Sequence, residues 1–425
     1  FQTYVINRSP TRIYVLLNIG SLGLISFAKN EQWPTLYNDS FLTPFFINQE
    51  ETIRLIKENR NVIKIESSDH LDFVRTLGPK NAVAGFNESN RNKRSFGVDL
   101  GTDKGKDIVR RLIKMSDVVA ENFRGGVVKS LGFDYESVRK LKPDIIYISS
   151  QGFGGGGPHS DYPCYGPMLS AASGMLSIWM QPDDPYPAGS NSPLPDHMAS
   201  KHVAIAILAA LDYKRRTGKG QFIDLAQTEV AAALMGEHYL DYTMNKREPQ
   251  AVGNRCSYAA PHGCYPCKGQ DNWVAISVFT NEEWRSFGRA IGSPAWTKDP
   301  KFANIPGRLK NVDELDKLIV EWTSDREAKE VMEMLQSAGV AAGVVQRAPD
   351  TMKDPQIAFD KALIELDHPA VGKRLYPNIP FHMSETPPVP SSPAPLLGQH
   401  TDEILLELGY DGRTIGELRQ KGVIA

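Results

Sequence analysis

An α/β fold is predicted, a parallel sheet with helices on its faces plus a smaller α+β unit, and three observations lead there. Strand-like and helix-like segments alternate through the first half of the chain, and that alternation implies parallel strands joined by crossover helices. Beyond about residue 225 the texture changes: Pro, Gly and Cys cluster from Gly253 to Gly269, and a strand pattern and a charged helix follow. At 425 residues the chain is also too long for one ordinary core. Together these predict the N-terminal part of a large domain over 1–225, a small domain over 226–335, and a return to the large domain over 336–425.

The elements follow in order. Tyr14 to Phe27 is apolar but broken by Asn18, Gly20 and Gly23, and reads as strand, turn and strand rather than as a signal peptide. Asn61 to Glu66 and Phe96 to Leu100 read as strands. Lys104 to Ser116 reads as an amphipathic helix, with Ile108, Val109, Leu112 and Met115 at helical spacing. Asp117 to Phe123 is a strand running into a loop, Tyr135 to Leu141 a helix, and Asp144 to Ser150 a strand entering a glycine run. Val203 to Leu211 is an apolar helix that ends at Arg215-Arg216-Thr217-Gly218-Lys219-Gly220-Gln221, with strand-like Phe222 to Leu225 beyond. Leu225 to Tyr242 continues as one long apolar helix pattern. Trp273 to Val278 is a strand, Asn281 to Ile291 a helix, and Gln336 to Val345 brings the chain back to the main body. Pro387 to Pro395 suggests extended polyproline-like structure, with a terminal helix from Thr401 to Leu408.

Composition excludes several classes. Apolar residues make up 41% and charged residues 23%, as in a soluble globular chain. A formal net charge of -2 argues against a large electropositive surface for nucleic acid. No run approaches the roughly 18 apolar residues of a membrane span. Four cysteines in a chain this size make no disulfide scaffold, which points to a reducing cytoplasm. Cys264-Tyr265-Pro266-Cys267 has C-x-x-C spacing with His262 nearby, yet no second pair completes four ligands. Two small residues on a strand is the plainer reading.

Four constellations carry chemical interest. Gln151-Gly152-Phe153-Gly154-Gly155-Gly156-Gly157-Pro158 directly follows a strand, where ligands bind in open α/β sheets. Its backbone N–H groups can approach an anion or a developing oxyanion, or the run is simply a flexible loop. Glu121-Asn122-Phe123-Arg124-Gly125-Gly126 also closes a strand and suits an anionic or nucleotide-like ligand, though a loop with a buried Phe would look the same. Asn90-Arg91-Asn92-Lys93-Arg94-Ser95 could face phosphates or form a solvated turn. Asp196, at the mouth of the Val203–Leu211 helix, faces unpaired backbone N–H groups and is either an N-cap or a nucleophile.

The ordered set of these motifs resembles the family III CoA-transferases of the CaiB/BaiF type, which include carnitine, formyl-CoA and benzylsuccinate transferases and the α-methylacyl-CoA racemases. The matching pieces are Asn61–Glu66, the run at 90–95, Glu121 to Arg124, Leu131-Gly132-Phe133 and the Gly152–Pro158 loop. Ser173-Gly174, Asp196 with its helix, Arg216 to Gln221 and Leu397-Gly398-Gln399-His400-Thr401-Asp402-Glu403 complete it. The resemblance implies a Rossmann-like large domain, a small domain and an interlocked dimer, either a homodimer or a heterodimer with a related subunit. It implies acyl-CoA and carboxylic acid substrates, with coenzyme A entering as substrate and no permanently bound metal or redox cofactor.

By the same resemblance Asp196 is the nucleophile, forming an aspartyl mixed anhydride and then an aspartyl-CoA thioester. An ordinary Asp pKa of about 3.9 would leave it ionised. CoA contacts fall on Val98, Leu100, Asn122, Phe123, Arg124 and Leu131, and Gly154, Gly155 and Gly156 would serve the oxyanion and substrate. Three departures stand out. Residues 1–60 do not show the family's first strand and glycine–proline loop cleanly, Pro44 being the nearest candidate. Gly101 replaces a common lysine. Tyr165-Gly166 stands where the racemases carry His-Asp, which weakens a racemase or epimerase reading. A non-catalytic subunit of a heteromeric transferase is the remaining alternative. Residues near Tyr165, Trp179 and Met180 hint at room for an apolar or aromatic acid.

Overall fold

A computed structural model describes residues 2–8, 12–17, 60–79, 81–182, 193–385 and 392–425. Pro44, the stretch 18–27 and residues 387–391, about which the sequence raised expectations, lie outside the described residues. The chain divides into two compact units: Phe1–Met175 with Ser190–Lys246 and Phe359–Ala425, and Leu176–Gly189 with Arg247–Ala358.

The first unit is built on seven strands: β1 (Gln2–Arg8), β2 (Arg12–Leu17), β3 (Arg60–Glu66), β4 (Arg94–Gly97), β5 (Val118–Glu121), β6 (Ile146–Gln151) and β7 (Gln221–Ala226). Their order is β4-β3-β1-β2-β5-β6-β7. The sheet is mixed rather than wholly parallel: β1 runs antiparallel to both neighbours, while β3–β4, β2–β5, β5–β6 and β6–β7 are parallel. Alternation along the strands divides the core in two. Val118, Ala120, Ile146 and Ile148 meet Val203, Ile207 and Leu208 on one face. Ile63, Ile65, Val119 and Tyr147 meet Ile108, Val109, Leu112 and Ile113 on the other. Strands covered on both faces are largely apolar, as Val118 to Ala120 and Ile146 to Ile148 are, and the buried Lys64 and Glu66 of β3 are held by ion pairs with Asp72 and Arg75.

Local chemistry explains the crossover helix Asp103–Lys114. The Thr102 hydroxyl caps it by accepting from the Gly105 N–H at 3.0 Å, and Arg111 and Lys114 favour its C-terminal end. Gly105 must be glycine, because a Cβ there would lie 1.9 Å from the Asp99 carbonyl. Burying its four aliphatic side chains stabilises the unit by roughly 1.5–3 kcal/mol each.

The Asp196 helix runs Leu194–Thr217, longer than its apolar stretch. At its far end Lys214 Nζ reaches Asp117 Oδ1 at 2.9 Å and Asp144 Oδ2 at 3.0 Å, fixing the helix to the starts of β5 and β6. Gly218 ends the helix at φ 72°, and a Cβ on Gly220 would lie 2.0 Å from the Ile145 carbonyl. The Arg216–Gln221 motif is therefore a helix stop followed by close backbone packing.

The sequence and structure part at Leu225–Tyr242. The single helix expected there is the end of β7 followed by two helices, Gln227–Leu234 and Gly236–Asn245, with Met235 off the helical path and Gly236 after it. The 90–95 run is likewise neither a solvated turn nor an open phosphate site. All six residues are buried, with Arg94 paired to Glu403 and Glu407 and Lys93 donating to Asn90 Oδ1. The Leu397–Glu403 motif covers the outer edge of β4. Gly398 N–H donates to Ser95 Oγ, Ser95 N–H to His400 Nδ1, and Gly97 N–H to Thr401 Oγ1. An unpaired sheet edge is thereby closed.

The second unit holds an antiparallel sheet of β10 (Ala341–Val344), β9 (Trp273–Ser277) and β8 (His262–Pro266), in that order. Trp284, Phe287, Phe302, Leu315, Ile319, Val331 and Leu335 form its core. Fully buried Arg308 donates to the carbonyls of Ala260 and Phe302 beneath Trp284. The stretch read as a return to the main body instead pairs Ala341–Val344 with β9, and the unit extends to Ala358. Cys264 is exposed on β8 and Cys267 is buried.

Candidate active site

A cavity of about 610 Å³ lies in the first unit, walled by the segments that follow the C-terminal ends of its parallel strands. After β3 come Leu71 to Leu77, after β5 Asn122 to Gly125, at the end of β6 Ser150 to Gly152, and after β7 Gln227. This is where ligands bind in sheets of this class. Ser160 to Pro167 and the start of the Asp196 helix, Pro193 and Asp196, complete the wall.

Asp196 is not the N-cap. Pro193 holds that position, and Asp196 sits in the first turn. Its carboxylate is half-buried, makes no ion pair among the described residues, and is pushed up to about 6 by burial, its own backbone N–H offsetting part of this. The ordinary aspartate value expected from the sequence is thus corrected upward. At pH 7 about nine-tenths of the group is still ionised, and its basicity is raised. The carboxylate lies close against Gly166: a Cβ there would fall 1.9 Å from Asp196 Oδ2 and 2.7 Å from Pro193 Cα. The helix beginning at Gly166 and the Asp196 helix can approach this closely only because position 166 has no side chain.

Glu121, at the end of β5 and next to the cavity-lining Asn122, stands in a motif of the sequence but had no role read for it there. It is 1% exposed, accepts from the Phe123 N–H at 2.7 Å and from the Ser149 hydroxyl, and is pushed up to about 7 by burial. Gln151 Nε2 donates to Ser149 Oγ at 3.0 Å, while Gln151 Oε1 and Asn122 Oδ1 are buried without a hydrogen-bond partner among the described residues. Two unfilled acceptors on the wall are free for donors on a ligand. The Cys164 thiol, also on the wall, is pushed up by burial and by the nearby Asp196 charge.

Asn122, Phe123 and Arg124 meet Asp196 at this cavity. Arg124 is exposed and makes no ion pair among the described residues. Val98 and Leu100 are buried in the main core, and Leu131 packs against it, away from the cavity wall. Gly154, Gly155 and Gly156 do not line the cavity either, and the Gly155 N–H already donates to both Asp224 oxygens at 3.0 Å. Tyr165 lines the wall, whereas Trp179 and Met180 belong to the second unit. Sequence reasoning missed Leu71, Phe73 and Leu77; the available signal was apolar side chains in a loop directly after a parallel strand.

A partly desolvated carboxylate, without a paired cation among the described residues, thus lines a cavity at the strand ends of an α/β sheet, a common place for a functional site. The model of CoA-transferase family III matches residues 61–401, and the chain belongs to that family of CoA-transferring enzymes. A probable CoA-transferase of Mycobacterium tuberculosis is 33% identical over 356 residues, 82% of this chain but 44% of that protein, so the chain spans less than half of that relative. A succinyl-CoA–D-citramalate CoA-transferase of Chloroflexus aurantiacus is 31% identical over 367 residues, 85% of this chain and 91% of that one. The crystal structure of a CaiB/BaiF family protein from Brucella suis aligns with a TM-score of 0.76 at 30% identity, covering 82% of this chain and 92% of its own.

Proposed function

We propose that this chain moves CoA from an acyl-CoA donor to a carboxylic acid, with Asp196 as the covalent carrier. The observation that carries this is the Asp196 carboxylate, raised in basicity by burial, on the wall of a cavity and hard against Gly166. The carboxylate attacks the donor thioester, giving an aspartyl mixed anhydride and CoA thiolate. The thiolate then attacks the aspartyl carbonyl, giving aspartyl-CoA thioester and releasing the donor acid. The acceptor carboxylate attacks this thioester, regenerating thiolate and a second anhydride. Attack of the thiolate on the acceptor carbonyl yields the new acyl-CoA and frees Asp196. No base is required, since the attacking groups are already anions.

In this reading Arg124, exposed beside Asn122 and Phe123, pairs with a CoA phosphate, and the Asn122 and Gln151 acceptors receive pantetheine amide N–H groups. CoA is a substrate here, with no resident cofactor required. We take the large unit as Rossmann-like in role, the assembly as a homodimer or a heterodimer with a related subunit, and the setting as cytoplasmic. Val98, Leu100 and Leu131 then shape the CoA site through the core behind it. The glycine loop serves the oxyanion once the Gly155 N–H leaves Asp224.

The racemase alternative fits less well. Tyr165 replaces the histidine of a two-base shuttle, and any side chain at position 166 would collide with Asp196 where it now stands. Mixing an unlabelled acyl-CoA with a labelled acid tests the reading. Appearance of label in acyl-CoA is expected, without uptake of solvent deuterium at the α-carbon. Deuterium uptake without CoA exchange would establish a racemase instead.

A further inference from the structure

The proposed transfer leaves open which acids are exchanged, and the cavity wall bears on that question. Phe73, from the loop after β3, and Tyr165, from the segment before the Gly166 helix, meet with ring centroids 5.4 Å apart. Both line the cavity that holds Asp196, yet they are 54% and 59% exposed. Leu71 and Leu77 on the same wall are also exposed, at 41% and 60%. Single exposed apolar residues are ordinary, but four on one wall, facing a cavity beside a nucleophile, form an apolar surface awaiting an apolar ligand.

The charges point the same way. Among the described residues on the wall, Arg124 is the one cation, and the proposed function assigns it to a CoA phosphate. The acids there are Asp196 and Asp72. The buried cations behind Asp72 are already engaged: Lys64 Nζ pairs with Asp72 at 2.7 Å, and Arg75 grips both oxygens of Glu66 at 2.9 Å. Among the described residues, a dicarboxylic acid would bring its second carboxylate to a wall whose one cation is Arg124, beside the Asp196 charge, which has no ion-pair partner among them. A second carboxylate lying on these apolar side chains loses water contacts and gains no ion pair from them, whereas a hydrocarbon or aromatic group gains contact with the Phe73–Tyr165 pair.

We infer that the acid exchanged here is an apolar or aromatic monocarboxylate, and that Phe73 and Tyr165 determine this specificity. The inference rests on the transferase reading and narrows it. The test is a panel of CoA exchange rates on the purified full chain, comparing hexanoyl-CoA and phenylacetyl-CoA donors with succinyl-CoA and glutaryl-CoA. We expect kcat/KM at least tenfold higher for the apolar pair. Phe73→Ala and Tyr165→Ala should lower that value tenfold or more for apolar donors, mainly through KM, and erase the preference. Tyr165→Phe, which keeps the ring, should retain it, and Tyr165→Arg should shift preference toward succinyl-CoA. Because both rings are more than half exposed, truncating them spares the core. Efficient exchange with dicarboxylates but not with apolar acids would overturn the inference and leave the transferase reading intact. Equal losses for all four donors in the alanine variants would also overturn it. Absence of exchange with every donor would overturn both readings together.

Discussion

Asp196 holds a charge where the surroundings disfavour it, and that has consequences for stability as well as chemistry. The unfolded chain releases this proton near pH 4, as an ordinary aspartate does, and the folded chain releases it near 6. Between those values the folded state keeps a proton that the unfolded state has lost, so stability falls as pH rises. The full cost, about 3 kcal/mol, stands above the folded value. Asp196→Asn should therefore abolish CoA exchange and yet raise the melting temperature at pH 8, with the gain disappearing near pH 4. The same ionisation predicts an acid limb in kcat/KM for the intact enzyme near pH 6, read from a pH–rate profile. Gly166 is the second residue on which the site depends. Gly166→Ala places a methyl within 3 Å of both the Asp196 carboxylate and Pro193. It should cut kcat/KM by roughly a hundredfold or more, as expected when a nucleophile is displaced by about 1 Å, while circular dichroism stays unchanged.

At the scale of elements, the candidate site depends on a long helix pinned at one end and carrying Asp196 at the other. Lys214 ties the C-terminal half of the Asp196 helix to buried Asp117. Lys214→Met removes the ammonium that pairs with this buried carboxylate and should cost roughly 3–5 kcal/mol in urea unfolding. Most strands and the helix at 135–141 were legible in the sequence, because they carry clean apolar runs or helical spacing bounded by glycine. The break at Met235 was not, since apolar residues continue across it and only the backbone turns. The basic run at 90–95 misled for a related reason. Composition says solvent, but Glu403 and Glu407, some three hundred residues away, supply the partners that allow Arg94 to be buried. Of the site, Asp196, Asn122, Phe123 and Arg124 could be read from motifs. Phe73, Glu121 and Gly166 could not, because their roles exist only where separate loops meet.

Across the whole molecule, the C-terminal segment completes the core that the N-terminal half begins. Ile404, Leu405, Ile415, Leu418 and Ile424 are buried against Phe96, Val98 and the Asp103–Lys114 helix, and Asp99 N–H donates to the Val423 carbonyl. Deleting residues 397–425 uncovers this surface and the edge of β4 together, so the truncated chain should be recovered in the insoluble fraction on expression. An intact fold with a normal melting transition would contradict that role. The proposed function turns on one covalent event at Asp196, and the direct test is to catch it. The purified chain would be incubated with an acyl-CoA donor alone, quenched with hydroxylamine, digested and analysed by peptide mass spectrometry. The predicted result is a hydroxamate on Asp196 that requires donor and is absent from Asp196→Asn. No modification under turnover conditions, or modification at Cys164 or Glu121 with Asp196 untouched, would contradict it.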